Sequence, residues 1–155
     1  MSASIAHPPV TLRPAVSDDL AAVERLLVAS SLPVIGVADA LCSFVVAESE
    51  GSLVGVVGLE ICCEYALLRS TAVAPEWRDR GLGRRLVERI IAEAEAQGIC
   101  ALYLLTTTAE RYFPSFGFAR TTRDEVPAPV RQTAEFQTAC PTSATVMCLP
   151  LPVTH

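Results

Sequence analysis

The residues best placed to do chemistry crowd into one stretch, Arg78-Asp79-Arg80-Gly81-Leu82-Gly83-Arg84. An apolar run of strand length, Tyr65 to Val73, precedes it, and a strongly amphipathic run follows. The first turn of a helix carries backbone N–H groups without intrahelical partners, at the positive end of the helix dipole. Glycines at 81 and 83 leave that backbone open to a polyanion, and Arg78, Arg80 and Arg84 add positive charge around the same point. The chemistry this suits is holding a pyrophosphate. Glycine spacing alone also fits a plain turn into a helix, with the arginines on a solvated face. A Walker-type loop is excluded, since no Gly-Lys-Ser/Thr follows, and the Gly-x-Gly-x-x-Gly of a dinucleotide fold is missing near an early strand.

Other chemistries fail on inventory. The only histidines are His7 and His155, so a Ser-His-Asp or Cys-His arrangement would need its base from a chain end. Six cysteines, at 42, 62, 63, 100, 140 and 148, include no Cys-x-x-Cys pair, and no zinc site is expected. Cys62-Cys63 with Cys140 or Cys42 are soft enough for a metalloid, but buried free cysteines behave as small hydrophobes, and no metal is assigned.

The elements that must position the glycine turn can be read in order. Val10 to Pro14 alternates as a first strand, and Ser17 is placed to cap a helix carrying Leu20, Val23, Leu26 and Leu27 on one face. Leu32 to Cys42, with Pro33 and Gly36, reads as a loop or short second helix walling a substrate site. Ser43 to Ser49 and Leu53 to Cys62 flank Glu50-Gly51-Ser52 as a hairpin, and Tyr65 to Val73 is a central strand. Gly81 to Gln97 is the clearest helix, with Leu82, Leu86, Ile90 and Ala94 in a stripe and Gly98 at its C-terminal cap. Ile99 to Leu105 follows as a buried strand, Ala109 to Phe116 as a short helix stopped by Gly117, a helical turn within Pro129 to Phe136, and Thr145 to Leu149 as a last strand. The pattern predicts an α/β fold, a mixed sheet with helices on both faces. Residues 1–9 read as a flexible tail and 10–155 as one domain.

Composition agrees with one ordinary domain large enough for a hydrophobic core: 155 residues, 51% hydrophobic and 19% charged. The net charge of −5, with no basic run beside aromatics, gives no footprint for nucleic acid. No apolar run approaches the ~20 residues of a membrane span, and Met1 to Pro9 does not read as a signal peptide. A cytoplasmic protein with free thiols and no membrane partner is expected.

The glycine turn with its Val-Ala-Pro-Glu-Trp lead-in resembles motif A of the general-control-related N-acetyltransferase (GNAT) superfamily. Downstream, Ala109-Glu110-Arg111-Tyr112-Phe113-Pro114-Ser115-Phe116-Gly117-Phe118 is similar to that family's short helix and Gly-Phe strand start. Within the superfamily, Tyr103 to Ala109 and Thr133-Ala134-Glu135-Phe136 with Cys140-Pro141 and Ser143-Ala144 look like the arsenic-resistance-associated and the glutamate-acetylating amino-acid branches. The resemblance implies the acyl-CoA N-acyltransferase fold, with two central strands splayed apart. Acetyl-CoA would be the cosubstrate, bound by Arg78, Asp79, Arg80, Gly81, Leu82, Gly83 and Arg84. Its pantetheine arm would pair with Ala72, Val73 and Ala74, and the Val73 N–H would face the thioester oxygen. The acceptor would be a small amino-acid-like amine, with Arg69, Glu64 and Thr107 on its side of the site. A protein lysine or N-terminus and a silent acyl-CoA sensor are the alternatives, and a homodimer is allowed for.

Glu60, ending the run from Val54, is the first candidate to take the amine's proton, and Glu64 the second; both also fit solvated residues at a strand connection. Arg69 interrupts an apolar strand and needs a partner, either a substrate carboxylate or Glu60. The family's usual tyrosine, four residues before the glycine, is Phe113 here. Tyr112 is displaced by one residue, about 100° around a helix, so its role as the acid does not carry over directly.

Overall fold

The computed structural model describes residues 8–107, 109, 111–133, 136–137 and 144–152. Met1 to His7, most of the expected tail, lie outside the described residues. Seven strands form one mixed sheet among them: β1 (Thr11–Pro14), β2 (Phe44–Ser49), β3 (Ser52–Cys62), β4 (Tyr65–Val73), β5 (Ala101–Thr106), β6 (Ala119–Thr121) and β7 (Thr145–Pro150). Their order across the sheet is β1-β2-β3-β4-β5-β7-β6, antiparallel except where β4 meets β5.

Helix α3 (Leu82–Ala96) covers one face. Its buried stripe of Leu82, Leu86, Val87, Ile90 and Ala94 packs with Val45, Val57, Leu59, Leu68, Leu102, Leu104 and Met147 of the sheet. The helix ends as its sequence dictates: Gly98 takes φ +77°, its N–H bonds the Glu95 carbonyl and the Ile99 N–H bonds that of Ala94. Helices α1 (Leu20–Ala29) and α2 (Val37–Ala40) cover the other face, where Val23, Leu27 and Val37 meet Phe44, Val46, Val56 and Ala72. Leu67, Tyr103 and Val146 on that face meet Val130 of α4 (Ala128–Arg131) and Phe136. No helix is long and apolar enough to cross a membrane among the described residues.

Three local expectations differ. Ser17 does not cap α1: a 3₁₀ turn (Ser17–Asp19) precedes it, and the Asp19 carboxylate reaches back to accept the Val16 N–H at 2.8 Å. Between Phe113 and Phe116 the chain forms only a 3₁₀ turn, ended by Gly117 at φ +102°, instead of a helix from Ala109. Helix α4 occupies Ala128–Arg131, the start of the Pro129–Phe136 window.

Asp19 also receives two Arg13 N–H groups at 2.8 and 3.0 Å, with its side chain 10% exposed. Those bonds hold its carboxyl below the usual range, against the opposing effect of burial. A depressed carboxylate contributes stability that is present above the unfolded pKa, about 4, and lost as pH falls through the lower folded value. Asp19→Asn is expected to cost about 1–3 kcal/mol at neutral pH. Its gap from the parent should close on acidification, as read by urea unfolding across pH 2–7 (roughly the carboxylate range).

Candidate active site

Strands β4 and β5 pair only over Tyr65–Leu67 and Ala101–Tyr103. Beyond that they separate, and the gap is a cleft of about 270 Å³ lined by Leu68, Ser70, Thr71, Leu104, Thr106 and Tyr112, among others. Its walls draw on both faces of the sheet: Leu68 and Leu104 belong to the α3 side, whereas Arg69 and Leu32 belong to the α1 side. The opening therefore passes through the sheet, and two molecules can approach it from opposite faces.

Backbone groups on the β4 edge are free for pairing because β5 has moved away. The Ala74 N–H crosses to the Val54 carbonyl at 2.8 Å on β3. Since N–H directions alternate along a strand, the Val73 N–H and carbonyl face the open edge, and those of Ala72 face β3. Val73 thus offers polar groups there, with its carbonyl already accepting from Arg78 Nε at 3.2 Å. Ala72 can contribute contact without a backbone hydrogen bond.

From Val73 the chain passes through a 3₁₀ turn (Pro75–Trp77), Asp79 at φ +62° and Gly81 at φ +80° into α3. No side chain caps the helix, so the N–H groups of its first turn point outward. A Cβ on Gly81 would meet nothing within 4 Å. A Cβ on Gly83 would lie 3.7 Å from the Tyr112 hydroxyl and 3.8 Å from Val73 Cγ2. Gly83 therefore floors the space between the strand end and the aromatic turn. Arg80 lies over the Trp77 ring, and Arg84 lies over Phe116 and bonds Ser115 Oγ at 2.9 Å. Of the run Arg78, Asp79, Arg80, Gly81, Leu82, Gly83 and Arg84, Gly83 meets the cleft at Tyr112, whereas Arg80 borders a separate hollow with Ser49, Glu50 and Trp77.

Tyr112 lines the cleft instead of turning away from it, because the residue precedes a 3₁₀ turn and does not sit inside a regular helix. Its ring packs edge-on against Phe113 and Phe116, while Phe113 is core. Burial raises the phenol pKa, with Arg84 pulling it back down and Glu88 adding to the rise. Its hydroxyl is at the Gly83 end. Tyr112→Phe is accordingly expected to keep the transfer rate within a few-fold in single-turnover assays. A true general acid is worth about 10²–10⁴-fold, so a loss of a hundredfold would reverse this reading.

Arg69 is the buried charge of the site, its side chain 0% exposed. It donates to Glu60 Oε1 at 2.9 Å, to Ser70 Oγ at 3.0 Å and to the Pro33 carbonyl at 3.4 Å. The pairing with Glu60, one of the two uses open in the sequence, is formed. Gly36 closes over the pair, where a Cβ would crowd the guanidinium at 3.2 Å. Glu60, 20% exposed, does not line the cleft. It borders a neighbouring hollow with Gly36, Asp39, Cys42 and Ile61, and Arg69 stands between the two spaces.

Two expected site residues lie elsewhere. Glu64 is at the paired end of β4, where its carbonyl accepts the Cys100 N–H at 2.7 Å. Thr107 is exposed beyond β5, and Thr106 lines the cleft in its place, its hydroxyl accepting the Ala109 N–H at 2.9 Å. Sequence reasoning does not single out Ser70 and Thr71; their signal is two hydroxyls directly after Arg69 in a mostly apolar strand. Cys42, Cys62, Cys63, Cys100 and Cys148 are free thiols, and no cluster fit for a metal occurs among the described residues. Cys140 lies outside them.

The family described as Acetyltransferase (GNAT) domain matches residues 40–120, more than half of the chain. The chain belongs to the GNAT acetyltransferase family. Among curated relatives, an amino-acid acetyltransferase of Neisseria meningitidis is 34% identical over 97 residues, covering 59% of this chain and 22% of the relative. One from Pseudomonas fluorescens is 36% identical over 87 residues, 55% of this chain and 20% of the relative. This GNAT chain thus spans about a fifth of the length of the curated relatives it matches. In structure it is similar to N-acetylglutamate synthase of Neisseria gonorrhoeae complexed with coenzyme A and L-arginine. The TM-score is 0.78 at 25% identity, over 94% of this chain and 34% of that one. A Mycobacterium tuberculosis protein in complex with CoA shares the fold at TM-score 0.77 and 23% identity, over 92% of this chain and 99% of that one. The splayed mixed sheet flanked by helices is the GNAT fold.

Proposed function

We propose that the chain transfers the acetyl group of acetyl-CoA to the primary amine of a small, amino-acid-like acceptor. The observation that carries this reading is the cleft through the sheet, with an uncapped helix N-terminus at one end and a part-buried Arg69–Glu60 pair beside the other. The first-turn N–H groups of α3, with Arg78, Arg80 and Arg84 around them, receive the pyrophosphate. Val73 offers its N–H to the pantetheine arm along the open edge of β4. The acceptor comes from the α1 side, under the loop that carries Pro33 and Gly36.

The amine nitrogen attacks the thioester carbonyl carbon, and the carbonyl π pair moves onto oxygen. Collapse restores the carbonyl and breaks the C–S bond, and the thiolate leaves with the bonding pair. The proton from the amine passes through water to Glu60, whose carboxylate lies behind Arg69. The small acceptor is supported by the relatives, whose names are amino-acid acetyltransferases.

Thiol release from acetyl-CoA, measured against free amino acids, their arsenic- and phosphorus-containing analogues and polyamines, tests the reading. Release that depends on an amino acid or analogue is expected. Release only with peptides or protein N-termini would replace the acceptor, and coenzyme binding with no amine-dependent release would make the chain a sensor.

A further inference from the structure

Among the described residues, two buried side-chain polar atoms lack a hydrogen-bond partner, Ser49 Oγ and Thr71 Oγ1. Thr71 is the one that lines the cleft. A hydroxyl removed from water without a partner is unfavourable, and valine would fill the same volume without that cost. Such an atom is explained when a ligand completes it.

The surrounding backbone is arranged around this position. On β3, Val56 opposes Ala72 and Gly58 opposes Arg69, so Ser70 and Thr71 together face the single residue Val57. The resulting bulge holds Ser70 at φ +62°, unfavourable for any residue but glycine. Ser70 is fixed there by Arg69 Nε, which donates to its hydroxyl. The extra residue resets which side chains face which side. Val73 packs toward Gly83 of α3, and side chains two apart on a strand share a face, so Thr71 presents its side chain on the α3 side. That is the side of the pyrophosphate turn, which lies beyond the C-terminal end of β4. An acyl group carried deeper along the strand from that turn comes level with Thr71.

We propose that Thr71 Oγ1 donates a hydrogen bond to the acyl carbonyl oxygen of the bound thioester. The inference rests on the acyl-transfer reading above. As the amine nitrogen adds to the carbonyl carbon, the π pair moves to that oxygen, and the hydroxyl holds the charge gathered there. When the tetrahedral species collapses, the pair returns to the carbonyl and the C–S bond breaks. The hydroxyl gives up no proton, so Thr71 neither acts as acid nor needs a co-reactant.

Calorimetric titration of acetyl-CoA and of CoA into the wild type, Thr71→Val and Thr71→Ser tests this without knowledge of the acceptor. Thr71→Val is expected to bind acetyl-CoA about three- to tenfold more weakly and CoA within about twofold, while Thr71→Ser resembles the wild type with both. Without ligand, Thr71→Val should melt no lower than the wild type. Unchanged acetyl-CoA affinity in Thr71→Val, or an equal loss for both ligands, overturns the proposal. So does a failure of serine to restore the preference, or a Thr71→Val that melts well below the wild type, since the hydroxyl would then have a protein partner. Failure of the acyl-transfer reading looks different: without a coenzyme site the wild type itself would bind neither ligand, and a coenzyme sensor would keep both titrations as expected but release no thiol with any amine.

Discussion

Gly83→Val is expected to weaken acetyl-CoA binding by about a hundredfold or more and to abolish the thermal stabilisation the coenzyme gives, while the unliganded protein melts close to the parent. The position permits this separation. Gly83 does not adopt positive φ, and a Cβ there meets its neighbours at 3.7 and 3.8 Å, ordinary contact distances. Valine's methyls instead fill the space between the strand end, Tyr112 and the first turn of α3. Gly81 gives a less clean test: at φ +80° any side chain strains the backbone, by about 1–2 kcal/mol, so lost binding and lost stability would mix. A native-state ligand present at a hundred times its Kd stabilises by about 2.7 kcal/mol, a shift large enough to see vanish. Differential scanning fluorimetry with a coenzyme series reads both quantities. A Gly83→Val protein that keeps the full shift would move the pyrophosphate away from this turn.

Glu60→Gln is expected to lower both stability and turnover, for separate reasons that a second substitution resolves. Arg69 has no exposed side-chain surface and donates to Glu60 Oε1 at 2.9 Å. Removing one member of a buried pair costs about 3–5 kcal/mol in general. Glutamine still accepts a hydrogen bond and the site is partly open, so about 2 kcal/mol is expected here. Replacing Arg69 with methionine as well removes the stranded charge, and the Glu60→Gln/Arg69→Met protein should recover most of that stability. Turnover should stay low in both variants, and its rise with pH should flatten, because the carboxylate proposed to receive the amine's proton is absent from each. Urea unfolding and the pH profile of acetyl transfer check the two halves. Recovery of turnover in the double variant would make Glu60 a partner for Arg69 and nothing more.

The two substitutions also mark what the sequence could and could not disclose. The glycine turn was legible because helix and strand periods meet there, and Gly81 and Gly98 punctuate α3 at positive φ as their type suggests. β4 follows the apolar run Tyr65–Val73 to the residue. The bulge at Ser70 and Thr71 left no such mark, since a left-handed serine is imposed by the register shift against β3 and not by its own preference. Placement across the sheet was equally hidden. Strand alternation says that Glu60 and Arg69 share a face, but only packing of the Pro33–Gly36 loop decides that Arg69 meets the cleft and Glu60 the hollow behind it. Asp19 displaced Ser17 as the start of α1 because Arg13, on another element, holds its carboxylate in place. Side-chain partners distant along the chain are what sequence periodicity does not carry.

We propose that this cleft binds acetyl-CoA across the open edge of β4 and the start of α3. Calorimetric titration of acetyl-CoA into the unmodified chain tests it most directly, since binding does not depend on knowing the acceptor. The account predicts saturable heat at one site per chain, accompanied by a rise in melting temperature that grows with ligand concentration. No measurable heat and no shift at millimolar acetyl-CoA would contradict it.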